Sequence, residues 1–101
     1  MFQRMRGLLT IDVDEDMTDM TDIEVTIEQD SSEHEFTYSG ASISVDGNQV
    51  TVEIPKGDAD VLDYGEAYCQ VMFTRPGGVP DATQKVKFDI EELLKDNGYG
   101  N

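Results

Sequence analysis

The chain has 101 residues, 38% of them apolar, and 22 acids against seven Lys and Arg give a net charge of −15. That length predicts a single domain over 1–101, with one modest core roughly between residues 9 and 94, burying about two-thirds of the surface the unfolded chain exposes. No Lys or Arg lies between Arg6 and Lys56, so no nucleic-acid partner and no anionic membrane is expected, because both need a basic footprint.

A basic protein surface or bound cations would fit the field of such a chain. The one cysteine, Cys69, allows no intrachain disulfide, and no apolar run approaches the roughly 20 residues of a membrane span. The first nine residues are basic and then briefly apolar, without the apolar stretch and small-residue cleavage site of a signal peptide. Synthesis in a reducing cytoplasm is the expectation.

Leu9, Ile11 and Val13 alternate with Thr10 and Asp12, which predicts a strand with one buried face. Asp14 to Asp22 is a polar connection holding Met17 and Met20. Ile23, Val25 and Ile27 alternate with Glu24, Thr26 and Glu28, and β-branched residues favour a strand there. Asp30–Glu33 is a turn cluster, followed by a strand through Phe36 and Tyr38 that stops at Gly40.

Ile43 and Val45 lead into Asp46-Gly47-Asn48, whose residue types tolerate the positive φ that tight hairpins need. Val50, Val52 and Ile54 return, and Pro55 stops them. Asp58–Tyr64 is compatible with one helical turn. Ala67, Cys69, Val71 and Phe73 then share one strand face, with Tyr68, Gln70 and Met72 on the other. A strand apolar on both faces belongs in the centre of a sheet.

Arg75–Pro80 reads as a long turn, and Val86, Phe88 and Ile90 as the last strand. Asp89, with Glu92 three residues on, can cap a short helical segment over Ile90–Asp96, ended by Asn97-Gly98. About seven short strands at intervals near ten residues make the fold class all-β. The pattern predicts an immunoglobulin-like antiparallel β-sandwich with a short C-terminal helical segment, a small barrel being the competing architecture.

The candidate chemical sites each lack a required residue. Asp12, Asp14 and Asp16 alternate as in a calcium loop, but the glycine and glutamate positions of an EF-hand hold Met17 and Ile23. A non-EF calcium site at those three aspartates stays open as an alternative to an acidic solvated loop. His34 is the only histidine and has no evident metal partner. Cys69 sits on a buried face without the base or electropositive setting of a nucleophile. Gly77-Gly78 precedes no helix, so it reads as a turn rather than a phosphate cradle. No catalytic residue, no metal and no cofactor is therefore expected.

Several segments taken in order resemble a known group. They are Ile23–Gln29, a strand ending in glutamine; Val50–Ile54 after the Asp-Gly-Asn turn; Gly65–Val71, a glycine leading into a strand with glutamine; then Gly77-Gly78, Ala82-Thr83, Val86–Ile90 and Leu93-Leu94. This succession is similar to the immunoglobulin-like N-terminal domain of upper baseplate proteins and to small virion proteins in tailed phages of Gram-positive bacteria. It spans roughly Leu9–Leu94. The segment before Gly65 carries Tyr64 but lacks the threonine usual in those proteins, and the larger baseplate proteins continue into further domains.

The resemblance implies a non-enzymatic structural component of a virion, in tail, baseplate or head. It implies contacts with other virion proteins and with further copies of itself, after synthesis in the bacterial host cytoplasm. Sheet edges and the terminal residues Arg4, Arg6, Leu93 and Leu94 are the candidate assembly contacts. An acidic module occupying a basic protein surface, as an inhibitor or binding domain, and a calcium-dependent adhesion module are the alternatives.

Overall fold

The computed structural model describes the backbone of residues 2–5 and all of residues 7–90. Nine strands occur there: β1 (Phe2–Met5), β2 (Leu8–Asp12), β3 (Thr21–Gln29), β4 (His34–Ser39), β5 (Ile43–Asp46), β6 (Gln49–Glu53), β7 (Gly65–Arg75), β8 (Val79–Ala82) and β9 (Val86–Ile90). One short helix, α1 (Lys56–Val61), connects β6 to β7.

The strands form two antiparallel sheets. The first runs β1-β2-β6-β5 and the second β4-β3-β7, with β8 and β9 sharing the remaining edge of β7. β8 pairs with Met72–Arg75 and β9 with Gly65–Cys69. No ladder among the described residues joins one sheet to the other, so the layers form a sandwich-like stack rather than a closed barrel.

The alternation read from the sequence is what holds the layers together. Leu9 and Ile11 of β2 stand opposite Val52 and Val50 of β6, while Val25 and Ile27 of β3 stand opposite Val71 and Cys69 of β7. All eight are buried. Fully burying each of the Leu, Ile and Val side chains stabilises the fold by about 1.5–3 kcal/mol. As the two-faced apolar pattern implied, β7 is central, and Ala67, Cys69, Val71 and Phe73 all point inward.

The strand count is nine among the described residues rather than the expected seven or so: strands occupy each segment read from the alternation, and β1 and β8 are additional. All four residues of β8 are exposed, so it carries no buried stripe for an alternation pattern to reveal. Its Pro80, opposite Thr74, is tolerated because β8 is an edge strand. The expected long turn over Arg75–Pro80 is thereby shortened to the residues before Val79. The expected helical turn over Asp58–Tyr64 lies two residues earlier, at Lys56–Val61, and buries Ala59, with Leu62 buried just beyond its end. Of the expected segment Ile90–Asp96, Ile90 belongs to β9 and the remainder lies outside the described residues.

The connection between β2 and β3 is tied down. Met17 is buried in the core, and its backbone N–H donates to Gly47 O at 2.8 Å. Gly47 has φ 62° at the first central position of the β5–β6 turn, where a type II′ hairpin requires glycine.

Candidate interaction surface

The polar residues that the fold holds most firmly are structural. Gln29, the last residue of β3, is 2% exposed. Its Nε2 donates to Asp63 O at 2.9 Å and Glu66 O at 3.0 Å, and its Oε1 accepts from Asp63 N–H at 2.7 Å. One amide thus satisfies three backbone groups of the segment entering β7, which its burial demands. Tyr38 Oη donates to Asp58 Oδ2 at 2.9 Å, fastening β4 to α1, and burial together with that bond pushes the phenol above its usual range. Thr83 fills the gap between β8 and β9: its N–H donates to Val71 O at 2.9 Å, and its hydroxyl accepts from Val71 N–H at 3.1 Å.

The acidic loop is largely engaged by its own neighbours. Asp12 accepts from Gln49 Nε2 at 3.1 Å, and Asp16 accepts from Thr18 N–H at 2.8 Å. Asp14 is exposed. Glu15 receives both terminal nitrogens of Arg75, at 2.9 and 2.7 Å, while Arg75 Nε donates to Asp81 at 2.7 Å. The guanidinium also lies over the Phe73 ring, 5.2 Å from its centroid. It holds the Glu15 and Asp81 carboxyls below their ordinary values. A planar fork of five donors suits two carboxylates at once. Among the described residues no three His, Cys, Asp or Glu side chains gather as a group able to hold a metal ion.

His34 is exposed at the start of β4, stacked on Phe36 with ring centroids 5.8 Å apart. Cys69 is buried, and desolvation pushes its thiol up to about 12. A thiol so far from ionisation at neutral pH is a poor nucleophile.

The surfaces left for contact are strand edges and the clefts beside them. In the first sheet β1 and β5 are the terminal strands, and each pairs on one side only among the described residues. β4 lies at one edge of the second sheet and covers β3 only from Glu24 onward. Thr21–Ile23 thus project past its end. The register slips between Thr21 and Glu24, and Asp22 takes φ 51°. A bulge of this kind bends a strand and re-aims its side chains.

Beside this bulge lies a cleft of about 570 Å³, lined by Met20–Glu24, Ser39, Gly40, Ile43 and Val45. Met20, Ile23, Ile43 and Val45 form an apolar floor continuous with the core. Asp22 and Glu24 are its charged residues.

Of the residues expected to make contacts, Arg4 lies in β1, opposite Leu9. Arg6, Leu93 and Leu94 lie outside the described residues. The roles of Arg75, Gln29 and the bulge at Asp22 are additions. Arg75 carried a signal, being the only cation between Lys56 and Lys85. Gln29 carried one too, because the alternation through Val25 and Ile27 reaches it on the inner face. No helix among the described residues is long and apolar enough to cross a membrane. Comparison with known proteins finds no matching family model, no matching curated protein and no matching solved structure.

Proposed function

We propose that the protein is a non-enzymatic structural component of a tailed-phage or prophage virion, with an immunoglobulin-like sandwich that works through protein–protein contacts. The observation that carries this reading is the pair of edge strands, β1 and β5, on one four-stranded sheet, each of which pairs on one side only among the described residues. An edge presents a row of backbone donors and acceptors, and adding a strand to it is a recurrent mode of protein recognition. The order of strand and turn signals that resembles small virion and baseplate proteins supports the same reading. In it, partners are other virion proteins and further copies of this chain, and the protein resides in the particle after synthesis in the host cytoplasm.

Mass spectrometry of particles purified from the strain that carries the gene tests this directly. The expected result is the chain at many copies per particle, with particles from a deletion strain lacking a tail, baseplate or head part. Its absence from purified particles overturns the proposal.

The acidity favours one second reading, a module that occupies a basic protein groove. It predicts capture of a DNA-binding protein in a pull-down, with an affinity that falls steeply as salt is raised.

A further inference from the structure

The hydrogen-bonding phase of the first sheet fixes what β5 presents at its open edge. Ile54 N–H donates to Gly7 O at 2.7 Å, and Val13 N–H donates to Asn48 O at 2.8 Å. In an antiparallel ladder the bonded pairs alternate, so Val50 and Val52 of β6 bond toward β2. Gln49 and Thr51 then bond toward β5, where they stand opposite Asp46 and Ser44. Both backbone groups of Val45 and the carbonyl of Ile43 therefore point away from β6. No strand among the described residues pairs with that edge. Ile43 N–H already donates to Gly40 O.

The side chains of the same two residues line the cleft of about 570 Å³, because they stand opposite the buried Val52 and Val50. Their neighbours Ser44 and Asp46 are exposed on the outer face of the sheet. An extended segment laid along β5 would thus place alternate side chains in the cleft, and the side chains between them beside Ser44 and Asp46.

We propose that the β5 edge receives an extended segment of a different protein, in which apolar residues two positions apart enter the cleft and Lys or Arg hold the alternate positions. The inference rests on the reading that the chain works through its strand edges, and it names the chemistry of the partner. In this mode of recognition the backbone bonds supply affinity, and pockets for alternate side chains supply specificity.

Cleft and charge select the occupant together. The floor of Met20, Ile23, Ile43 and Val45 is apolar and continuous with the core, which suits apolar side chains at the inward positions. Acids border the segment's path on both faces, with exposed Asp46 on the outer face and exposed Asp22 in the cleft lining. No Lys or Arg lines the cleft. Opposite charges across a strand pair are favourable. A second copy of this chain is a poor source of that charge. Every cation within residues 7–90 is ion-paired to an acid of its own chain: Lys56 to Asp60, Arg75 to Glu15 and Asp81, Lys85 to Glu28 and Lys87 to Glu66. Two copies would also oppose each other with a net charge of −15 apiece. A four-residue edge makes a small contact, so a single segment binds weakly and gains strength where many copies are held together.

A designed peptide tests this. The probe is a capped hexapeptide of alternating lysine and valine. One control alternates glutamate with valine, and another alternates lysine with serine. Amide NMR shifts of the full chain read the site, up to ~1 mM peptide. The lysine–valine peptide is expected to bind saturably, with shifts concentrated in residues 20–24 and 39–46, and to slow exchange of the Val45 N–H. Both controls are expected to bind at least about tenfold more weakly, because each lacks one half of the match. Val45→Pro removes the edge donor at a position an edge strand tolerates, and it should weaken binding at least about tenfold. Asp46→Lys changes an exposed side chain outside the core and should weaken it about threefold. Circular dichroism checks that each variant is folded, and Asp46→Lys decides if Val45→Pro is not.

The inference is overturned if no saturable shift appears, if the shifts lie elsewhere, or if either control binds as well as the lysine–valine peptide. It is also overturned if folded variants bind as the wild type does, or if sedimentation velocity without peptide shows the β5 edge taken by a second copy. Failure to bind in a chain that is present in purified particles removes this contact and leaves the functional reading. Absence from particles removes that reading whatever the peptide does.

Discussion

Replacing Gln29 by leucine should be the most costly single polar substitution in the described fold. The side chain is 2% exposed and makes three hydrogen bonds to the backbone of Asp63 and Glu66. Leucine fills similar volume but leaves Asp63 N–H, Asp63 C=O and Glu66 C=O without their partner. Each orphaned buried group costs about 1–2 kcal/mol, which puts Gln29→Leu near 4 kcal/mol. A domain of this size has about 5–15 kcal/mol in all, so the variant should remain folded with a melting temperature lower by roughly 15–25 °C.

Urea unfolding followed by circular dichroism measures this, with the slope against denaturant unchanged. Gln29→Glu discriminates further. Its carboxylate can accept from Asp63 N–H but faces two carbonyl oxygens with no donor to offer. Burial raises its folded pKa, so the stability of that variant is retained at low pH and lost as pH rises through neutrality. A loss under about 1 kcal/mol for Gln29→Leu, or a Gln29→Glu variant insensitive to pH, would refute the assignment of Gln29 as the clamp at this end of the sandwich.

Further outcomes follow from the other contacts. Arg75→Ala should raise hydrogen exchange across residues 14–20, because Glu15 loses both its bonds to the guanidinium. Since Arg75 depresses the Glu15 and Asp81 carboxyls, the stability they add is present above the ordinary values of 4.5 and 3.8 and is lost as pH falls below them. The variant should show a flatter acid limb. Tyr38→Phe should cost about 1 kcal/mol in thermal or urea unfolding, by deleting the bond to Asp58. Because the folded pKa of Tyr38 is raised, the wild type should also lose stability as pH climbs past 10, the usual phenol value, and the variant less so. Cys69, with its thiol near 12, should not react with a thiol reagent at mildly alkaline pH until the fold opens, so labelling should track unfolding. Raising salt should raise the melting temperature by screening the net charge of −15.

Much of the fold was legible in the sequence because its core uses the simplest code available to a sheet. Leu9-Ile11, Val25-Ile27, Val50-Val52 and Val71-Phe73 repeat at a period of two, and all are buried. The parts that escaped lack that code. β8 is exposed throughout, and its pairing follows from the turn before it and from Thr83 behind it. The bulge at Asp22 depends on a local slip in register that hydrophobic pattern does not encode. Met17 looked like an isolated apolar residue in an acidic loop, yet its burial shapes that loop.

The interaction surface was legible only in outline. Charge runs marked an acidic face and two N-terminal arginines, but the cleft arises because β4 ends at Ser39, opposite Glu24, while β3 begins three residues before Glu24. That offset is a property of tertiary pairing. Arg75 could have been suspected from its isolation among acids, whereas the two carboxylates it holds lie 60 residues upstream and six downstream, and only the fold brings them together.

The central claim is that this chain is a structural part of a particle and that it makes contact through open strand edges. An electron cryomicroscopy map of the purified particle tests it most directly. The account predicts the sandwich at symmetry-related positions, with β1 or β5 continuing into a strand of a neighbouring subunit. A particle lacking the chain, or one in which both edges face solvent while the outer sheet faces make every contact, would contradict it.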